Sequence, residues 1–122
     1  MHYKGTKCTY DGITFDSNPE GEYYLKLKND DSVTDLQVHP KFTLQQGFRN
    51  NQGKAIRSIT FKPDFQYIKD GQEYIEDVKP CKELIDSDFT LRFKLLQYIY
   101  KDSNTIFRLI CWDKKAKVFM GI

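Results

Sequence analysis

No apolar run in this 122-residue chain approaches the roughly 20 residues needed to cross a bilayer. The opening stretch, MHYKGTKCTYDG, has no apolar segment of the signal-peptide kind. Cysteine is scarce: Cys8, Cys81 and Cys111 lie far apart, with no CxxC pair. An odd, dispersed set argues against a disulfide framework or a zinc site and for free thiols in a reducing compartment. The expected location is therefore the cytoplasm, with no membrane partner. P-loop and zinc-deaminase signatures are missing, as are internal repeats and low-complexity linkers. The length suits one compact domain, residues 1–122, that buries a core without staples.

What is present is aromatic and charged. Nine Phe, eight Tyr and one Trp supply bulky rings, and 19 Lys+Arg nearly balance 17 Asp+Glu. The distribution is less even than the total. Lys4 and Lys7 stand near the start with no acid beside them, and Lys114, Lys115 and Lys117 cluster near the end. Basic ends around an acidic centre can hold a polyanion about a cation site, although solvated surface lysines explain the pattern equally well.

Local grammar predicts an α/β domain. Asp11-Gly12 reads as a turn followed by a short extended piece through Phe15. Ser17 can cap a helix whose first turn carries Pro19 and whose Glu20 completes a capping box, with Tyr23, Tyr24 and Leu27 buried and an end near Lys28. Residues 36–48 alternate as extended chain with a break near Pro40, and RNNQGK is a loop or hairpin turn. AIRSITFKPDFQYI is strand-like, its Ile59, Phe61, Phe65 and Tyr67 expected on one face. A second helix is expected from Ser87 to Tyr100, with Phe89, Phe93, Leu96 and Tyr100 on its stripe. TIFRLICW is a final, well-covered strand. His39 reads as structural, and Trp112 and the helix tyrosines Tyr23 and Tyr24 read as core.

The charge in IEDVKP, residues 75–80, is the anomaly. If Asp70-Gly71 makes a two-residue hairpin turn, Lys69 faces Gln72 and Asp64 falls directly opposite Asp77. Their Cβ atoms then lie about 4.5–5.5 Å apart, and Lys79 shares that face. Opposed like charges destabilise a sheet unless they are compensated. A divalent cation with oxygen ligands, Mg²⁺ or Mn²⁺, is one compensation. An ordinary network with Lys62 or Lys79 is the other, and a bulge would separate the acids altogether. Glu76 alternates to the opposite face and reads as solvated or salt-bridged.

Pro63-Asp64 followed on the next strand by Asp77-Val78-Lys79, with Glu20 on a preceding helix, resembles the PD-(D/E)xK nuclease superfamily. The wider pattern, YDGITFDS..E..YY..L, then R.ITF.PDF.Y, then EDVK, resembles a family of small proteins common in phages of Gram-positive bacteria. That family is grouped with Holliday-junction-resolvase-like nucleases. The likeness runs from about residue 4 to residue 100. Pro80 departs from it, standing where such proteins often carry glycine.

The resemblance implies a restriction-endonuclease-like core, a mixed central sheet flanked by helices. It implies a Mg²⁺- or Mn²⁺-dependent endonuclease that cuts DNA, with four-way junctions as possible substrates, working as a homodimer in the cytoplasm of a phage's host. Asp64, Asp77 and the Val78 carbonyl would bind metal, Glu20 would join them, and Lys79 would serve the attacking water or the phosphate. Glu20 has its capping role as an alternative. Arg57, Arg92, Lys94, Lys114, Lys115 and Lys117 are candidates for DNA phosphates. The competing expectation is a nuclease-fold module that binds nucleic acid or protein without cutting.

Overall fold

The computed structural model describes residues 7–79, 86–113 and 118–121. The chain begins with strands β1 (Cys8–Tyr10) and β2 (Ile13–Phe15), then helix α1 (Asn18–Lys28) and strand β3 (Val33–Val38). Short strands β4 (Phe42–Gln45), β5 (Phe48–Arg49), β6 (Ala55–Ile56) and β7 (Ile59–Phe61) follow. Strands β8 (Phe65–Lys69) and β9 (Gln72–Lys79), helix α2 (Ser87–Ile99), and strands β10 (Ile106–Asp113) and β11 (Val118–Gly121) complete the order.

Two Asp-Gly steps make the tight turns. Asp11-Gly12 joins β1 to β2 and Asp70-Gly71 joins β8 to β9, with φ of 53° and 77° in the first and 50° and 79° in the second. Positive φ at both central residues is the turn geometry that follows the natural twist of a hairpin. The β8–β9 register is therefore the expected one, Lys69 facing Gln72 and Phe65 facing Glu76. RNNQGK closes a smaller hairpin between β5 and β6.

The central sheet has the order β11-β10-β9-β8-β3. Its β9–β10 pair is parallel and the others are antiparallel, so the sheet is mixed. A parallel pair needs a crossover between its strands, and α2 lies in it. Alternation along the strands sends Phe65, Tyr67 and Val78 to one face, where Phe15 and α1's Tyr23, Tyr24 and Leu27 meet them. Ile75 takes the other face, against Phe61 and α2's Phe89 and Leu96, with Phe93, Tyr100, Phe107 and Leu109 around them. Phe65 and Ile75 are both fully buried. Side chains of this size each contribute about 1.5–3 kcal/mol by leaving water. The mixed α/β architecture with a helix on each face agrees with the sequence.

The helix ends follow the expected chemistry. Ser17 caps α1 by accepting the Glu20 N–H at 3.4 Å, Pro19 stands in the first turn, and Lys26 and Lys28 occupy the last. Asp86 caps α2 by accepting the Phe89 N–H at 2.7 Å. Among the described residues no helix is long and apolar enough to cross a membrane.

The long strand-like run breaks up. β7 pairs with β4 and places Phe61 on α2, whereas β8 joins the central sheet and places Phe65 and Tyr67 on α1. The four residues do not share one face. Pro63 supplies no N–H to a ladder and interrupts the run between them. Beyond β10, which sequence takes as the last strand, β11 forms an edge. Trp112 is half-buried rather than a core residue.

Candidate functional site

The break at Pro63 leaves Asp64 immediately ahead of β8. Continuing the register by one step from Phe65 and Glu76 sets Asp64 across from Asp77. Asp64 is also stitched in place by its own atoms. Its Oδ2 accepts the Val78 N–H at 2.7 Å, and its backbone carbonyl accepts the His39 N–H at 2.9 Å. A side-chain oxygen thus substitutes for the strand partner that Val78 would otherwise have on that side.

Glu20 enters from the first turn of α1 and is 5% exposed. Its Oε1 lies 2.8 Å from His39 Nε2. The backbone half of the capping box is present, but the carboxylate is directed to His39, into the centre. His39 Nε2 is also 3.9 Å from Asp64 Oδ1. Glu20, His39 and Asp64 each offer one ligand atom, all within 4.8 Å of one another. His39 has φ of 54°, an uncommon conformation for a side-chain-bearing residue. Its N–H bond to Asp64 holds the backbone there.

Asp77 is 4% exposed and its Oδ2 lies 3.1 Å from Lys79 Nζ. The ammonium also stands 4.0 Å from the centre of the Phe89 ring on α2. Strand alternation puts Asp77 and Lys79 on the α2 face, and Lys79 is held between a carboxylate and an aromatic ring.

Three acids against one ammonium make a strained electrostatic centre. Burial raises the Asp64 pKa well above the ordinary carboxylate range, and the charges of Asp77 and Glu20 push the same way, opposed by the Val78 N–H. Burial also raises the pKa of Asp77, while the Lys79 ammonium pulls it back. Like charges and desolvation both disfavour the ionised carboxylates. A cation among these oxygens would reverse that preference. The donor set fits a hard divalent ion, carboxylate oxygens with one imidazole at the margin.

The expected residues separate into groups. Glu20 and Asp64 come together with His39, and Asp77 and Lys79 pair beside them. Val78 contributes its N–H to Asp64 and buries its side chain in the core. Arg92 bonds Asp88 at 3.1 Å and donates to the Thr60 carbonyl, so its guanidinium ties α2 to β7. Arg57 and Lys94 are exposed. Pro80 and Lys114, Lys115 and Lys117 lie outside the described residues.

One sequence reading needs correction, and one open alternative is decided. His39 is part of the acidic centre as well as of the backbone frame; nothing in its spacing announces this, because its partners are 19 and 25 residues away. Of the two alternatives for Glu76, solvated or salt-bridged, the structure selects the salt bridge, with Glu76 fully buried. It accepts from Tyr23 OH at 2.6 Å and from Arg108 Nε at 2.6 Å. The available signal was Arg108, a lone charge inside the apolar run IFRLICW, which calls for a buried counter-charge.

No curated protein matches the chain. Residues 1–116 match the family model described as "Protein of unknown function (DUF1064)", and the chain belongs to that family.

Proposed function

We propose that this protein is a metal-dependent endodeoxyribonuclease, built on a restriction-endonuclease-like core, that hydrolyses phosphodiester bonds in DNA. The observation that carries the proposal is the gathering of Glu20, Asp64 and Asp77 with Lys79 at one end of the β8–β9 pair. A sheet end gains nothing in stability from three crowded acids, two of them raised in pKa by burial. The likeness to junction-resolving nucleases adds branched DNA, four-way junctions included, as the substrate class and a homodimer as the working unit.

Glu20, Asp64, Asp77 and the Val78 carbonyl would hold Mg²⁺ or Mn²⁺, which would polarise a phosphoryl oxygen and lower the pKa of bound water. His39 orients Glu20 through its 2.8 Å bond, the part a neighbouring hydrogen bond plays for a ligating carboxylate. Lys79, kept close by Asp77 and Phe89, offers positive charge where negative charge builds on the phosphate. Exposed Lys94 on α2 and Arg57 are available to DNA phosphates, which supply most affinity.

The test is purified protein with linear, flapped and four-way-junction DNA, with Mg²⁺, with Mn²⁺ and with EDTA. Cleavage of a branched substrate that requires the metal supports the proposal. Binding without cleavage under either metal replaces it with the non-catalytic binding module.

A further inference from the structure

Asp35 and Asp64 bound the longest acid-free stretch of the chain. All 17 acids lie outside residues 36–63, which carry five cations, Lys41, Arg49, Lys54, Arg57 and Lys62. All five are exposed, and none pairs with a carboxylate among the described residues. Arg49 donates to the neutral Gly53 carbonyl at 2.9 Å, which braces the turn and leaves its charge uncompensated. The stretch folds as one antiparallel hairpin. Phe42 faces Phe61 and Thr43 faces Thr60; after a register shift, Phe48 faces Ile56 and Arg49 faces Ala55. Its base is packed on α2 through Phe61 and Phe42. Its outer half is not: β5 and β6 pair only with each other, and Phe48 is 46% exposed. The hairpin springs from the acidic centre. His39 and Asp64 close its base through the 2.9 Å bond from the His39 N–H to the Asp64 carbonyl, and both offer ligand atoms beside Glu20. Lys41 and Lys62 therefore stand two residues from the centre on either strand, with Arg49, Lys54 and Arg57 farther out.

We propose that the hairpin of residues 41–62 is a DNA-holding arm, which binds the phosphate backbone of a duplex and leads it to the acidic centre. The inference rests on the nuclease reading of that centre and adds what holds the substrate there. Charge complementarity points to a polyanion: five uncompensated cations stand on one element, with no acid beside them to repel phosphates. The element's shape points to a duplex, because a two-stranded ribbon is one of the two elements that the major groove admits. Its other exposed polar side chains, Thr43, Gln45, Gln46, Asn51 and Gln52, are neutral donors of the kind that supplement cations on a DNA backbone. The reach fits as well. Lys41 and Arg49 are eight residues apart, up to about 26 Å of extended chain. One duplex turn measures about 34–36 Å. The cations thus follow most of a turn that starts at the acidic centre. A duplex held along the arm is positioned with its backbone beside Glu20 and Asp64, and positioning of this kind converts binding into rate.

Binding is measured in EDTA, where no cutting is needed, by fluorescence anisotropy with a short labelled duplex and with labelled polyglutamate over a series of salt concentrations. Arg49→Gln/Lys54→Gln/Arg57→Gln should weaken duplex binding at least about tenfold and flatten the salt slope by about 2–3. Lys54→Gln/Arg57→Gln keeps the Arg49 bond across the turn and should flatten the slope by about 2, so a loss there cannot come from a loosened hairpin tip. The control Lys26→Gln/Lys28→Gln/Lys101→Gln removes the same charge from α1 and the turn after α2. It should stay within about twofold of the parent, because salt screens charges that are not in contact over about 8 Å. Arm variants that bind like the parent, a control that weakens equally, or polyglutamate that binds more tightly than the duplex overturns the proposal. The nuclease reading fails separately. A parent that loses duplex with the arm variants yet cuts nothing with Mg²⁺ or Mn²⁺ removes that reading and supports the arm; a parent that cuts while the arm variants bind as it does overturns the arm alone.

Discussion

Replacing Asp64 by asparagine should stabilise the metal-free protein, against the usual direction for a change at a buried polar position. Two effects compete. The carboxylate accepts the Val78 N–H at 2.7 Å. A hydrogen bond to a charged group is worth about 1.5–3 kcal/mol and a neutral one about 0.5–1.5. The amide oxygen of asparagine keeps the bond, so that side of the exchange loses roughly 1 kcal/mol. On the other side, ionised Asp64 is buried and faces the charges of Asp77 and Glu20. The effective penalty for a buried ion is several kcal/mol, and a neutral amide avoids most of it. The penalty is the larger effect. A net gain of about 1–2 kcal/mol corresponds to a rise in Tm of roughly 3–8 °C for a chain of this length.

The gain belongs to the ionised state, and its sign with pH follows from linkage. Burial raises the pKa of Asp64 and Asp77 in the folded protein. Between the ordinary carboxylate range and those raised values, the folded chain holds protons that the unfolded chain has released. The stability these protons contribute is fully present below the unfolded pKa and is lost as pH rises through the folded one. Thermal melts in EDTA at about pH 5 and about pH 8.5 should show the parent losing more stability than Asp64→Asn on the alkaline side. A variant that melts below the parent at both pH values, or a gap that widens toward acid, refutes the reasoning. Metal gives a second reading. At a hundredfold excess over Kd, Mn²⁺ should stabilise the parent by about 2.7 kcal/mol. Full retention of that shift in Asp64→Asn would exclude Asp64 as a ligand.

Lys79→Ala should cut branched DNA two to three powers of ten more slowly, about 3–4 kcal/mol of barrier, with junction affinity close to the parent's. Equal single-turnover rates for the two proteins would remove Lys79 from the site. Tyr23→Phe takes a donor from buried Glu76 and should cost about 1.5–3 kcal/mol in urea unfolding. Tyr24→Phe removes a bond to Asp11, whose side chain is 44% exposed, and should cost less than about 1 kcal/mol. Equal losses would contradict the burial argument. Gly21→Ala gains up to about 1 kcal/mol of helix propensity. The new Cβ would lie 2.5 Å from Cys8 Sγ and 2.7 Å from the Tyr10 ring. Overpacking of that kind costs about 1–3 kcal/mol, so a lower Tm is expected and a higher one would show that β1 gives way freely.

The parts of the fold that were legible in the sequence are those decided within a few residues. Ser17 and Pro19 start α1, Asp70-Gly71 fixes the β8–β9 register, and that register alone puts Asp64 opposite Asp77. The stripe Phe89, Phe93 and Leu96 marks the face of α2 that packs on the sheet. Where a residue's role depends on a distant partner, local pattern misleads. Period-two alternation correctly sent Glu76 to the face opposite Asp77. Of the two roles left open for it, solvated or salt-bridged, the fold selects the second, because α1 and β10 deliver Tyr23 and Arg108 to the same place. The run from Ile59 to Tyr67 has the residues of one strand, but Pro63 divides it between two layers.

Glu20 and His39 show the same limit at the site itself. A glutamate three residues after a helix-capping serine satisfies a local rule completely, so local reasoning has no need of a second role. The fold uses the two halves of that residue separately. The Glu20 N–H completes the cap at Ser17, while the carboxylate crosses to His39 and Asp64. His39, in turn, reaches the centre because its own N–H is bound to the Asp64 carbonyl, which sets the imidazole beside the Asp64 side chain. One aspartate therefore positions β3's end through its backbone and β9 through its carboxylate. Its place just ahead of β8, left outside the ladder by Pro63, frees the side chain to do so. The proline in the Pro63-Asp64 pair is thus a cause of the site's geometry: it ends the regular pairing one residue early, where the acid is needed.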